Sequence, residues 1–128
     1  ERKYEETAQK SLAAFSSAVS QDPANYPQLL IALDFLRGPS QEIVLAAPSR
    51  DDSARRMLRE INTRFIPNKI VLFHEGSDPP LEALAPFVKD QRLVSGKTTA
   101  YVCRDHVCRL PVTDPEALRK ILNTPTER

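Results

Sequence analysis

The sequence predicts an α/β fold preceded by a pair of helices, on three observations. Apolar residues recur with a helical period up to Gly38-Pro39-Ser40, and beyond that point they gather into short continuous runs. Two of these runs, Glu42-Ile-Val-Leu-Ala46 and Lys69-Ile-Val-Leu-Phe-His74, flank an amphipathic stretch, as parallel strands flank their crossover helix. The most β-prone stretch, Lys97 to Val112, holds both cysteines and reads as a hairpin with Cys103 opposite Cys108 across a short turn.

The first helix is expected over residues 3–20, where Ala8, Leu12, Phe15 and Val19 form one stripe and Glu5, Glu6, Gln9 and Lys10 lie opposite. Pro23 ends it, because proline disfavours helix at the residue before it. A second helix runs from Pro27 to Gly38. Its apolar residues (Leu29, Leu30, Ile31, Leu33, Phe35, Leu36) cover more than one stripe, which predicts burial on several sides. After the first strand, Ser49 and Asp52 have capping-box spacing for a helix reaching Arg64. Its expected buried stripe is Ala54, Met57, Leu58, Ile61 and Phe65. Leu81 to about Val88 reads as a short, weak helix. The hairpin goes out over Thr99–Cys103 and back over Val107–Leu110. Thr113, Pro115 and Glu116 then open a last helix, capped by Thr113 and reaching Leu122. From residue 41 on, the order β-α-β-α-β-β-α is that of a minimal thioredoxin-like unit with a four-stranded mixed sheet.

Composition narrows the function classes. With 18 basic and 17 acidic residues the net charge is +1, so no global field recruits nucleic acid or an anionic membrane. The longest uncharged apolar run, Leu29 to Leu33, is far too short to span a bilayer, and no secretory signal opens the chain. Three glycines against eleven prolines weigh against phosphate-cradling loops. The chain begins at Glu1 without an initiator Met and reads as a piece of something longer, with a cytoplasmic setting expected.

The two cysteines frame Arg-Asp-His-Val, so they face each other with Cβ atoms about 4.5–5.5 Å apart, slightly long for a disulfide. Three functional readings follow: a redox-active pair, half of a metal site with His106 as a further ligand, or a structural clip. The preferred reading is two small, partly buried thiols packed as a cross-strand pair. Redox enzymes of thioredoxin type need Cys-x-x-Cys at a helix N-terminus, whereas here the spacing is Cys-x4-Cys at a strand turn. The position after the first strand, Ala47-Pro-Ser-Arg-Asp-Asp52, has no cysteine. Ser49, Arg50 and Ser53 lie at a helix start where an anion could sit, although Asp51 and Asp52 already bring negative charge there. His74 ends a strand beside Glu75 with no nucleophile or paired carboxylates near it in the pattern, so a structural role is preferred. Arg55, Arg56, Arg59 and Arg64 make a basic helix face without stacking aromatics, which reads as solvated or as a docking surface. No cofactor is called for, no metal site is complete, and no small-molecule ligand is identifiable.

Thr99-Ala-Tyr-Val-Cys-Arg-Asp-His-Val-Cys-Arg-Leu-Pro followed by Thr113-Asp-Pro-Glu-Ala-Leu resembles the C-terminal end of the spermatogenesis-associated, thioredoxin-domain-containing family. Ala32-Leu-Asp-Phe35, Glu42-Ile-Val-Leu45 and Phe65-Ile-Pro-Asn-Lys69 extend the resemblance from about Tyr26 onward. The resemblance implies an N-terminal thioredoxin-like domain, then a helical (α/α) toroid similar to sugar epimerases and glycosidases, then this region. Residues 1–38 would then be closing helices of that toroid, and residues 41–128 an α/β accessory domain whose partner is the upstream toroid of the same chain. None of the family's presumed catalytic residues falls on this stretch. The leading expectation is therefore a non-catalytic, stabilising module of a larger protein. The alternatives are a thiol–disulfide module using Cys103 and Cys108, or a sugar- or phosphate-binding module using the Ser49–Ser53 helix start.

Overall fold

The strand Gln41–Ala46 (β1) is the centre of the α/β part, because nearly every side chain on it is buried. It pairs in parallel with Lys69–His74 (β2), Gln41 opposite Lys69 and Ala46 opposite His74. On its other side it pairs antiparallel with Thr99–Arg104 (β3), Val44 opposite Tyr101. Val107–Cys108 (β4) closes a sheet of order β2-β1-β3-β4. The computed structural model describes residues 2–104 and 107–124. These divide between Gly38 and Pro39 into two compact units.

In the second unit, Asp52–Asn62 (α4) and Pro115–Asn123 (α6) pack on one sheet face. Alternate strand residues Ile43, Leu45, Ala100 and Val102 meet Met57, Ile61, Leu118 and Leu122 there in the apolar core. Arg64 Nε donates to Asn123 Oδ1 at 2.8 Å and joins the two helix ends. Lys69 Nζ, at the start of β2, donates to Ile61 O at 2.8 Å in the last turn of α4, where unsatisfied carbonyls favour a cation. The opposite face of β3 carries Thr99, Tyr101 and Cys103. It is tied to the segment after Pro79–Leu84 (α5), where Val88 and Gln91 are buried.

Several expectations change in detail. The cap of α4 is Asp51, whose Oδ1 accepts from Ala54 N at 2.8 Å, and not Ser49. Likewise Asp114, and not Thr113, caps α6 by accepting from Ala117 N at 2.8 Å. Helix α4 stops at Asn62, so Phe65 falls outside its period and is 94% exposed, while Ile66 packs against the core instead. Strand β2 is only half-buried because it lies at the sheet's edge. The expected helix to Val88 breaks at Ala85-Pro86 into α5 and a 3₁₀ turn, leaving Leu84 and Phe87 exposed. Strand β4 stops at Cys108, short of Leu110. Cys103 faces Cys108 but Ala100 faces Val112, so one extra residue is accommodated on the return, where Pro111 has no N–H to give. Ser95 and Gly96 both take positive φ (52° and 69°) between the bridged residues Val94 and Lys97, as a two-residue hairpin turn of primed type demands.

In the first unit, Arg2–Ala14 (α1) and Ser16–Gln21 (α2) replace the single expected helix, with the break at Phe15. Ser16 Oγ donates to Ala13 O at 2.8 Å, and Thr7, Ser11 and Ser20 back-bond in the same way, a habit that bends helices. A 3₁₀ turn at Pro23–Asn25 leads to Pro27–Arg37 (α3). Tyr26 is stacked obliquely on Phe15, with ring centroids 6.4 Å apart. The expectation that α3 is buried on several sides fails. No described residue of this unit is buried, and Ile31 is 62% exposed. Leu12, Val19, Leu29, Leu33 and Leu36 instead line an open cleft of ≈ 350 Å³ between the helices.

Candidate functional site

The hairpin positions the cysteines by ladder geometry. Arg109 N donates to Val102 O at 3.0 Å, so residues 102 and 109 form a hydrogen-bonded pair. Antiparallel pairs alternate, which puts Cys103 and Cys108 at the non-hydrogen-bonded position, where side chains stand closest. The preferred sequence reading of two separate thiols is corrected here. Cys103 and Cys108 are joined in a disulfide, with Cα atoms 3.8 Å apart. The expected Cβ spacing was slightly long because it assumed average strand separation, whereas this pair sits closer than average.

The two sulfurs have different surroundings. Cys103 is 1% exposed, beneath the segment that follows α5. Cys108 lies on the short edge strand and is exposed, with Val107 and Leu110 exposed near it in sequence. Gln91, 6% exposed, reaches both: its Nε2 is 3.7 Å from Cys103 Sγ and 3.9 Å from Cys108 Sγ. Its Oε1 is buried and has no partner among the described residues. A disulfide sulfur can only accept, so this amide orientation is the one that gives the pair hydrogen bonds. The backbone of the same segment is pinned at three points. Gln91 O is 3.0 Å from His74 Nε2, Tyr101 Oη donates to Arg92 O at 2.6 Å, and Val94 N donates to Thr99 Oγ1 at 2.9 Å. His74 is therefore a structural tie with both ring nitrogens occupied, since its Nδ1 is 2.7 Å from Gly76 O.

The other candidates are placed as follows. Ser49 is exposed, Ser53 is half-buried in the first turn of α4, and the Arg50 guanidinium lies over the Phe73 ring, 5.4 Å from its centroid. Asp51 holds a free N–H of that helix start, and Asp52 pairs with Arg55 at 3.1 Å. His106, named as a further metal ligand, lies outside the described residues. Among the described residues no group of three His, Cys, Asp or Glu side chains could hold a metal ion. No helix among them is long and apolar enough to cross a membrane. Sequence reasoning missed Gln91 altogether, because an isolated glutamine in a loop carries no pattern.

Fold and site together define a small mixed α/β module with a clasped hairpin, preceded in the chain by a helix pair. Its curated relatives include spermatogenesis-associated protein 20 of Homo sapiens, 31% identical over 114 residues, and its counterparts in Rattus norvegicus and Mus musculus, 30% and 28% identical over the same length. The matches cover 88% of this chain but only 14% of each relative's own length. The resemblance drawn from the hairpin therefore holds: the chain belongs to this spermatogenesis-associated family. No protein-family model matches it, and no solved structure matches it.

Proposed function

We propose that the chain is a non-catalytic accessory module of a larger protein, and that its helix pair packs against the remainder of that same polypeptide. The observation that carries this reading is the first unit itself. Leu30, Ile31, Phe35 and Leu36 are all exposed on one eleven-residue helix, and none of the described residues of that unit is buried. A helix apolar on all sides is stable only when other elements surround it. The relatives supply room for such a partner, since the matched region is 14% of their length. A helical toroid, as the family resemblance implies, would offer the complementary apolar helix faces.

In this reading residues 39–128 are a thioredoxin-like accessory domain. The parallel β1–β2 pair and antiparallel β3–β4 hairpin in order β2-β1-β3-β4 support that topology. The reading also places the protein in the cytoplasm, where a disulfide is expected to be transient. Deleting the equivalent of residues 39–128 from the full-length protein is expected to lower its melting temperature. An unchanged melting curve overturns the stabilising role.

A further inference from the structure

We propose that Cys103 and Cys108 form a thiol–disulfide exchange site for dithiols, in which Cys108 Sγ is the atom attacked and Gln91 holds the departing Cys103 sulfur. This goes beyond the accessory role and does not depend on it. Exchange requires in-line approach of a thiolate to one sulfur of the bond and departure of the other. The structure assigns these roles by exposure. Cys108 is exposed on a two-residue edge strand, whereas Cys103 is 1% exposed and closed off by Gln91. An incoming thiolate therefore reaches Cys108, and Cys103 is the leaving group.

The leaving group has a donor waiting. Gln91 Nε2 lies 3.7 Å from Cys103 Sγ, and its backbone is fixed through the His74 contact to Gln91 O. Charge developing on Cys103 strengthens this hydrogen bond, since bonds to ionised acceptors are stronger than neutral ones. Gln91 Oε1, without a partner among the described residues, completes the arrangement. Once Cys103 is protonated, a half-turn of the carboxamide lets Oε1 accept from the new S–H. One buried amide thus serves the disulfide, the thiolate and the thiol.

The steps balance as follows. A thiolate of the dithiol attacks Cys108 Sγ and forms a mixed disulfide, the Cys103–Cys108 bond breaks, and its electron pair leaves on Cys103 Sγ. The dithiol's second thiolate then attacks its own sulfur in the mixed disulfide and releases Cys108 as a thiolate. Two electrons pass from the dithiol to the cysteine pair, the dithiol is oxidised to its disulfide, and the two protein thiolates take up the protons that the dithiol lost. The reverse sequence reduces a partner disulfide to its dithiol and restores the Cys103–Cys108 bond.

The test uses the whole chain prepared without reductant. Glutathione serves as a monothiol probe, with N-ethylmaleimide trapping free thiols. Trypsin cleaves after Arg104 and separates the two cysteines for mass mapping. Glutathione is expected on Cys108 and maleimide on Cys103; glutathione on Cys103, or equally on both, overturns the assignment. Millimolar dithiothreitol is expected to reduce the folded protein, and a bond that survives it overturns the site. Gln91→Met keeps the side-chain length and removes the donor, and is expected to slow reduction about tenfold. It is also expected to lower the ultraviolet thiolate absorbance of the reduced protein at fixed pH, a signature that a packing role alone would leave unmoved. Equal rates and equal absorbance in a variant with wild-type circular dichroism overturn the role of Gln91.

Discussion

His74 Nε2 lies 3.0 Å from the backbone carbonyl oxygen of Gln91 and fastens the end of β2 to the segment covering the second face of the sheet. The ring is 4% exposed, and its Nδ1 is 2.7 Å from Gly76 O. Either tautomer donates to one of these two carbonyls. His74→Ala removes the single ring donor from between these two carbonyls and opens a void, so a loss of about 2–3 kcal/mol in urea unfolding is expected. A loss below about 0.5 kcal/mol would show that the tie does not hold the segment.

The two long helices of the second unit begin at aspartates whose side chains bond the N–H three residues on. Asp51→Ala and Asp114→Ala are each expected to lower stability by about 1 kcal/mol. Ser49→Ala and Thr113→Ala are expected to stay within about 0.5 kcal/mol, because neither residue is the cap. The four denaturation midpoints separate the observed caps from those the sequence spacing favours.

Leu118 is fully buried between sheet and helices, whereas Phe65 stands in solvent just past the end of α4. Leu118→Ala is therefore expected to cost about 3 kcal/mol. Phe65→Ala is expected to change stability by less than about 0.5 kcal/mol, despite the larger side chain removed. Calorimetric melting of the two variants checks both values.

The disulfide spans a sequence separation of 5, so the loop it closes is short and little chain entropy is at stake. Reduction is expected to lower stability by about 2 kcal/mol and to leave the circular dichroism of the folded protein unchanged. Loss of the fold on reduction would mean that the clasp holds more than the hairpin.

What was legible in the sequence followed periodicity. The buried run from Glu42 to Ala46, the stripe through Ala54, Met57 and Ile61, and the pairing of Cys103 with Cys108 all came from spacing alone. What was not legible depended on neighbours distant in sequence. Half-burial of β2 follows from its place at the sheet edge, which no local pattern encodes. The two cap positions differ by a residue or two from the sequence reading because several capping residue types stand side by side at Ser49-Arg-Asp-Asp52 and Thr113-Asp114, and only backbone geometry selects one. The disulfide turned on a strand separation shorter than average. Gln91 entered the site from seventeen residues before Cys108 and left no pattern behind.

The α3 helix gives the account its most direct test, because its apolar residues Leu30, Ile31, Phe35 and Leu36 are exposed and the proposal assigns them a partner in the longer polypeptide. Amide hydrogen exchange of residues 27–37 should be compared between this chain alone and the full-length protein. The account predicts little protection in the isolated chain, alongside strong protection of β1, and a large gain in protection for α3 in the longer polypeptide. Equal protection of α3 in both would contradict it.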